Sequence, residues 1–338
     1  MPFQIVRNDL TNMKLDAIVN AANSSLRQGG GVCGAIFEAA GPERLQAACD
    51  AIGHCPPGRA VLTEGFGLPA KYVIHTVGPV WRDGWHGEEE CLASCYTKSL
   101  ELALERGLSS LAFPLISSGV FGYPKSEALR IAISAIGSFL LEHEMDVSLV
   151  VFDKTSYSLS DRLFRDIKSY VDDRYVEKHY FRRGSQWDRQ DELLEQLSVS
   201  EPAVHYLELP PSRAGTGGLE AVIKGKGESF SQMLLRLVDE SGRTDPEIYR
   251  RANLDRRLFS KIRSNPEYRP SKHTALALAI ALELNWDRTA DLLRSAGYAL
   301  SPGSRFDLIV EYFINTANYN IFEINEALFA FGEGLLGA

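Results

Sequence analysis

The chain has 338 residues, a formal net charge of −8, 45% apolar residues and 24% charged residues. This composition excludes wholesale disorder, and the length suggests two domains. No apolar run approaches the roughly 18 residues that cross a bilayer, and the N-terminal segment MPFQIVRNDL lacks the apolar core of a secretory signal. We therefore expect a cytoplasmic protein that does not enter a membrane. The acidic balance excludes a general nucleic-acid coat but leaves room for a local basic patch.

The cysteines all lie in the first third of the chain, and we interpret them as reduced, buried thiols. Cys91 and Cys95 are four residues apart, on one face of a predicted helix. Together with His86 or His54 they form no familiar zinc spacing. The sequence therefore predicts no metal ion and no other bound cofactor.

Residues 1–171 alternate between two patterns. Short β-rich runs, at 3–6, 17–22, 72–77, 110–116 and 148–153, are separated by segments with helical periodicity. Strands that alternate with helices predict an α/β layered domain with a largely parallel sheet.

The rest of the chain has a different texture. Residues 172–227 are polar and then rich in Pro and Gly, which predicts a linker with one possible helix. Residues 228–338 show helical periodicity throughout, with Ser271 placed as an N-cap and Gly297 just after a helix. This pattern predicts a second, all-α domain, and its surplus aromatic residues suggest a homodimer.

Two glycine-rich turns follow predicted strands of the first domain. Residues 20–41 read NAANSSLRQGGGVCGAIFEAAG, and residues 114–124 read PLISSGVFGYP. Glycine lets backbone amides approach an anion, and a following helix adds the positive end of its dipole. Neither segment has the spacing of a P-loop or of GxGxxG. As a pair they suggest a diphosphate site, and the alternative is that both are simple tight turns.

The blocks AIVNAANSSL, GGGVCGAI, LPAKYVIHTVGPVW and PLISSGVFGYP together resemble the macrodomain family, in particular its MacroD-type branch. The resemblance covers about half of the chain. It implies a three-layer α/β/α sandwich on a mixed sheet. It also implies binding of ADP-ribose and, as in many members, hydrolysis of ADP-ribose derivatives.

The same resemblance implies roles for single residues. Asp9 would accept a hydrogen bond from the adenine amino group, and Leu10 would line that pocket. Phe152 would stack on adenine, with Tyr157 as an alternative, and Asn23 would touch the distal ribose. A set of loop residues would grip the diphosphate and shape the distal end of the cleft: Gly31, Val32, Gly34, Ser118, Gly119, Val120, Phe121, Gly122 and Tyr123. The alternative interpretation is that Asp9 only caps a turn and that Phe152 is only a core residue.

Catalysis is the point at which the chain departs from the family pattern. The hydrolytic branch usually reads GGGVDG, whereas this chain has Cys33 at the acidic position. A carboxylate accepts a proton from water, and a neutral thiol does so poorly. Asn23 and a phosphate of the substrate would then hold the water. We expect slow hydrolysis of an ADP-ribosyl ester or glycosidic link, on a protein or on a small molecule. The alternative is a non-catalytic ADP-ribose sensor or reader.

A basic segment lies within the predicted helical domain. Residues 250–272 contain eight basic and two acidic residues. The segment resembles the helix-turn-helix of phage-repressor-like (XRE) domains, with the recognition-like helix starting at Asp255. The resemblance implies that Arg256, Arg257, Lys261 and Arg263 meet DNA. The alternative is a solvated face, or a surface that docks on an acidic protein.

Overall fold

The computed structural model describes residues 2–151, 166–171 and 228–337. Six strands form one sheet in the order β1-β6-β5-β2-β4-β3. They are β1 (Phe3–Arg7), β2 (Ala17–Ala21), β3 (Ala60–Glu64), β4 (Tyr72–Thr76), β5 (Ser110–Pro114) and β6 (Asp146–Val151). All pairs are parallel except β3 with β4, so the sheet is mixed. The five predicted strands are present, and β3 is an additional edge strand that the sequence analysis missed.

Helices cover both faces of this sheet. They are α1 (Gly31–Ala40), α2 (Pro42–Ile52), α3 (Glu88–Glu105) and α4 (Lys125–Glu142). Along β2 the buried side chains alternate: Ala17 and Val19 join the core beneath α3 and α4, while Ile18 joins the core beneath α1 and α2. This alternation produces the expected three-layer sandwich.

The C-terminal region is helical, as predicted. Its helices are α5 (Phe230–Ser241), α6 (Asp245–Arg251), α7 (Arg256–Ser264), α8 (Lys272–Ala281), α9 (Trp286–Ser295), α10 (Arg305–Asn315) and α11 (Ile321–Ala330). Helix α8 is buried on all sides from residue 274 to 281, and Ser271 caps its N-terminus as predicted. In the part of the chain that the structure describes, no helix has the length and apolarity needed to cross a bilayer.

The helical region packs directly on the sandwich. The side chain of Asn253, in the turn between α6 and α7, bonds the Phe3 amide and the Phe3 carbonyl, each at 2.9 Å. Phe322 of α11 lies against Gly137 of α4 and against the ring of Phe3, at 5.7 Å between centroids. Buried residues of both regions therefore form one continuous apolar cluster. The predicted boundaries at 171 and 228 stay predictions, since the linker at 172–227 lies outside the described residues.

The aromatic residues behind the homodimer prediction are only partly buried within the chain. Phe313 and Phe322 are buried, whereas Tyr312, Tyr319, Phe329 and Phe331 keep part of their surface exposed. The homodimer stays a prediction.

Candidate functional site

The two glycine-rich loops lie side by side. The first follows β2 and the second follows β5, and these strands are parallel neighbours, with Ala17 opposite Leu111 and Ile18 opposite Ala112. Because the carboxyl ends of parallel strands share one edge of a sheet, both loops open into the same crevice. The structure therefore brings together residues that are about ninety positions apart in sequence.

Helix α1 presents an uncapped N-terminus to this crevice. It begins at the exposed Gly31, with Gly30 as N-cap and no side chain bonded to its first turn. The amides of Gly31, Val32 and Cys33 consequently have no acceptor within the helix. The amide of Gly34 is hydrogen-bonded within the helix. Glycine is required at this position because a Cβ would lie 2.7 Å from the Gly29 carbonyl oxygen.

Asn23 shapes the first loop. Its Nδ2 donates to the Arg27 carbonyl at 2.7 Å, and its Oδ1 accepts from the Ser25 hydroxyl at 2.9 Å and from the Arg27 amide at 3.1 Å. Both the nitrogen and the oxygen of the side-chain amide are therefore hydrogen-bonded within the loop. Asn23 thus fixes the path of the loop, whatever contact it also makes with a ligand.

The second loop forms a row of free amides. Ser117 and Gly122 adopt positive φ angles, and two bonds close the turn, from the Gly122 amide to Gly119 and from the Tyr123 amide to Ser117. Between these bonds, the amides of residues 118–121 donate to no acceptor in the described parts of the chain. The side chain of Val120 is 92% exposed at the crest. Successive free amides of this kind form a concave anion site.

The loop that follows β4 and contains Gly78 and Trp81, here called the third loop, supports the second glycine loop. The Trp81 amide donates to the Phe121 carbonyl at 2.8 Å, and the rings of Trp81 and the buried Tyr123 lie 4.5 Å apart. Gly78 allows this close approach, because a Cβ at that position would lie 2.1 Å from the Ser117 hydroxyl. Tyr123 therefore acts as a buried wall behind the distal part of the loop.

Cys33 points into the protein. Its side chain is buried, and its Sγ lies 3.6 Å from Asn20 Nδ2 and 3.9 Å from the Arg27 carbonyl. The sulfur therefore lies behind the glycine loop. This placement keeps the thiol of Cys33 away from the crevice, and a catalytic role of Cys33 stays a prediction.

A buried polar chain that no sequence motif indicates lies behind Cys33. Asn20 and His75 face each other across β2 and β4, with Asn20 Nδ2 at 3.1 Å from His75 Nδ1. His75 Nε2 lies 2.9 Å from the Thr63 hydroxyl. Burial lowers the pKa of His75 to about 4, so the ring is neutral: Nδ1 accepts from Asn20, and Nε2–H donates to Thr63. Residues so far apart in sequence gave no motif that could have revealed this chain.

Asp9 and Leu10 lie beside α1. Asp9 caps a short 3₁₀ helix (Leu10–Asn12), where its Oδ1 accepts from the Thr11 amide and hydroxyl at 2.9 and 2.7 Å. Its Oδ2 is the less engaged oxygen, with one 3.4 Å contact to Asn12 Nδ2. Asp9 is thus a turn cap that keeps one carboxylate oxygen toward solvent. Leu10 is buried, and Phe152 lies outside the described residues.

The basic residues of α7 lie on its solvent side. Arg256, Arg257, Lys261 and Arg263 are exposed. Arg263 pairs with Asp245, and Lys261 lies over the ring of Tyr268, at 5.7 Å from its centroid. Arg256 and Arg257 form no ion pair within the described residues.

A cavity between α4 and the C-terminal helices lies away from all of these groups. It has a volume of about 520 Å³, and Ser138, Arg251, Glu283 and Phe322 line it. It contains no cluster of reactive side chains. The chemistry of the molecule therefore points to the glycine loops, a shallow crevice built from backbone amides. An α/β sandwich with such loops at neighbouring strand ends is the architecture of a protein that binds nucleotide phosphates.

Comparison with known proteins defines the family. Residues 19–132 match the family model described as Macro domain. A Macro domain-containing protein of Methanosarcina mazei is 51% identical over 155 residues, which are 45% of this chain and 82% of that protein. The O-acetyl-ADP-ribose deacetylase of Escherichia fergusonii is 47% identical over 165 residues, covering 47% and 93% of the two chains. This chain belongs to the Macro domain family.

A solved structure of a Trypanosoma brucei macrodomain in complex with ADP-ribose is also similar, with 42% identity and a TM-score of 0.43. The match covers 46% of this chain and 66% of that one. The Macro domain model ends its match at residue 132, so the likeness of the helical region to a phage-repressor-like domain remains a prediction.

Proposed function

We propose that this chain binds ADP-ribose across its two glycine loops and slowly hydrolyses an ester of ADP-ribose. The observation that carries the proposal is the double row of free amides, at the start of α1 and at residues 118–121. The two phosphates of a diphosphate present acceptors to such rows, and the dipole of α1 favours their negative charge. The name of the Escherichia fergusonii relative, O-acetyl-ADP-ribose deacetylase, supports the same ligand.

The less engaged Oδ2 of Asp9 supports the adenine end of this proposal. An exposed carboxylate oxygen with one long contact can accept a hydrogen bond from an exocyclic amino group without losing the cap it makes through Oδ1. Asn23 and Tyr123 then border the opposite end, where the distal ribose and its acyl group would lie.

Hydrolysis here must proceed without a carboxylate at position 33. Water attacks the acyl carbon, the bond from that carbon to the ribose oxygen breaks, and the ribose oxygen takes up a proton. The sulfur of Cys33 lies behind the loop, where it accepts a hydrogen bond from Asn20 Nδ2 at 3.6 Å, so we assign the water to Asn23 and to a phosphate oxygen of the substrate. A phosphate is a weak base, and we therefore expect turnover to be slow. The same chemistry applies to an acyl link on an ADP-ribosylated protein.

The test is calorimetric titration of ADP-ribose into the full-length protein, with hydrolysis of O-acetyl-ADP-ribose and of mono-ADP-ribosylated protein assayed in parallel. Val120→Asp places a negative charge at the exposed crest of the second loop, and we expect about tenfold weaker binding from repulsion of the diphosphate. Val120→Asn is the matched neutral control and should bind nearly as the parent does. Absence of ADP-ribose binding by the parent protein would refute the proposal.

A second candidate function is that of an ADP-ribose sensor whose helical region binds DNA. The favouring observation is that Arg256 and Arg257 are exposed on α7 without an ion pair in the described residues. Binding of duplex DNA should weaken steeply with salt, and the double variant Arg256→Ala with Arg257→Ala should reduce that salt dependence by about two counterions. Arg288→Ala, which removes an arginine paired with Glu240, is the control. Absence of binding at low salt would exclude this candidate.

A further inference from the structure

A compact group of polar side chains lies at the start of α3, outside the glycine loops. Asp83, His86 and Glu88 lie in one turn, in which Gly84 and Gly87 change the direction of the chain through positive φ angles. Asp83 Oδ1 accepts from the Trp85 amide at 3.0 Å and lies 2.8 Å from His86 Nδ1. The turn thus brings one imidazole nitrogen and two carboxylates together on one side.

Glu88 is the unusual member of this group. Its side chain is only 3% exposed, and its Oε2 accepts from the His86 amide at 2.6 Å. Its Oε1 is buried, has no hydrogen-bond partner in the described parts of the chain, and lies 3.9 Å from His86 Nδ1. Burial raises the pKa of Glu88, but the surrounding backbone amides offset this effect and the net pKa is lowered. A buried carboxylate oxygen without a donor is costly, and a cation between these groups would satisfy it.

The geometry of the group suits a small divalent ion. The three donor atoms all lie within 4.8 Å of one another. In tetrahedral zinc sites, bonds of about 2.1 Å place the ligand atoms roughly 3.4 Å apart, so small side-chain adjustments would close this group around an ion. One imidazole with two carboxylates is a ligand set that zinc accepts, whereas magnesium and calcium prefer oxygen ligands alone.

We propose that Asp83, His86 and Glu88 form a site for a divalent transition-metal ion, of which Zn²⁺ is the best match. Each residue supplies one ligand atom, and the fourth position stays open to water on the solvent side, where Asp83 and His86 are about half exposed. The site does not depend on ADP-ribose, so the proposal stands or falls separately from the proposed function.

The test is titration of the chelator-treated, full-length protein with ZnCl₂ by calorimetry, followed by the visible spectrum with CoCl₂. We expect one tight equivalent of Zn²⁺, weak binding of Mg²⁺, and cobalt bands typical of nitrogen and oxygen ligands. His86→Ala and Asp83→Asn should each weaken Zn²⁺ binding by about 10–100-fold. Both side chains are half exposed, so these variants should fold normally, whereas substitution of the buried Glu88 risks a loss of structure.

Two controls separate this site from other zinc-binding groups. Glu89→Gln changes the neighbouring carboxylate, which pairs with Arg130 at the surface, and should leave binding unchanged. Cys91→Ser removes a thiol a few residues away and should also leave it unchanged. Binding that survives His86→Ala, or a strong sulfur-to-cobalt charge-transfer band, would overturn the assignment. Absence of Zn²⁺ binding by the parent protein would overturn it as well.

Discussion

The resemblance described above implies that Cys33 replaces an aspartate of the hydrolytic macrodomains, and the surroundings of Cys33 are polar on one side. Asn20 Nδ2 lies at 3.6 Å, and a Cβ on Gly29 would lie 3.7 Å from the sulfur. The site therefore holds a small side chain and offers it a hydrogen-bond donor. An aspartate at this position carries a charge whose burial behind the loop is costly, so we expect its carboxylate to turn toward the crevice, where the attacking water lies.

This environment predicts the effect of restoring the acid. In Cys33→Asp we expect hydrolysis of O-acetyl-ADP-ribose to become at least about tenfold faster, because a carboxylate can take the proton of the attacking water. ADP-ribose affinity should change little, since the amide rows remain. The measurement is kcat and Kd for both proteins.

The control for this change is Cys33→Asn, which has the same shape but no base. If Cys33→Asp is no faster than Cys33→Asn, position 33 does not limit the reaction and the water is held elsewhere.

His75 makes stability depend on pH. Burial lowers its pKa to about 4 in the folded state, whereas the pKa in the unfolded chain is near 6.5. Below pH 6.5 the unfolded chain takes up a proton that the folded protein does not, so the free energy of unfolding falls as the pH falls from 6.5 toward 4. The free energy of unfolding at pH 4 is lower by about 3 kcal/mol than it is well above pH 6.5, where His75 is neutral in both states. Urea unfolding at several pH values measures it.

His75→Gln should flatten this pH dependence, although it also lowers stability at neutral pH by breaking the bonds to Asn20 and Thr63. His54→Gln, at an exposed position, should leave the slope unchanged. Burial also raises the pKa of Glu326 to about 7, which changes stability with pH in the opposite direction. The slope of each variant is therefore compared with the slope of the parent protein, which has the same Glu326. Equal slopes for His75→Gln and the parent would contradict the buried neutral histidine.

At the scale of elements, the second glycine loop and the third loop act as one unit. The Trp81 amide donates to the Phe121 carbonyl, and this close approach depends on Gly78. Gly78→Ala would bring a methyl group to 2.1 Å from the Ser117 hydroxyl and 2.8 Å from Ile116 Cγ2. We expect the loops to separate, with about 1–3 kcal/mol lost in the free energy of unfolding and ADP-ribose binding weakened roughly tenfold.

The hydroxyl of Ser117 offers a test of this mechanism. It is buried without a partner in the described residues, so its removal alone should cost little. Ser117→Ala should therefore recover part of the affinity lost in Gly78→Ala. Failure of this double variant to recover any affinity would show that the clash with the Ser117 hydroxyl is not the cause.

The elements differ in how far the sequence could predict them. Helix α8 was predictable because a capping serine, Ser271, precedes a long apolar run. Strand β3 (Ala60–Glu64) was missed because it is a five-residue edge strand paired only with β4.

The residues of the candidate sites also differ in how far the sequence could predict them. The glycine loops are contiguous in sequence and could be recognised from it. The pairing of Asn20 with His75 depends on strand register, which no local pattern encodes. The group at Asp83 was invisible for a related reason: it depends on the burial of Glu88, and its spacing matches no familiar motif.

At the scale of the whole molecule, one side chain of the helical region pairs with the edge of the sheet at Phe3. β1 is the outermost strand, and its Phe3 amide and carbonyl would face solvent or another chain if they were unpaired. Asn253 bonds both groups from the turn between α6 and α7, at a φ of 53° that asparagine tolerates better than most residues. The helical region thus completes the sandwich, which explains why the two regions share one apolar cluster.

Asn253→Gly keeps the left-handed backbone and removes only the side-chain bonds. We expect the free energy of unfolding to fall by about 2–4 kcal/mol, because two buried backbone groups of Phe3 lose their partner. Ala317→Gly is the matched control: Ala317 also has a φ of 53° but is exposed, so this change isolates the backbone effect. Urea unfolding followed by circular dichroism measures both. Equal stability of the two variants would mean that the junction is held by Phe322 and its apolar neighbours, with no net contribution from the asparagine.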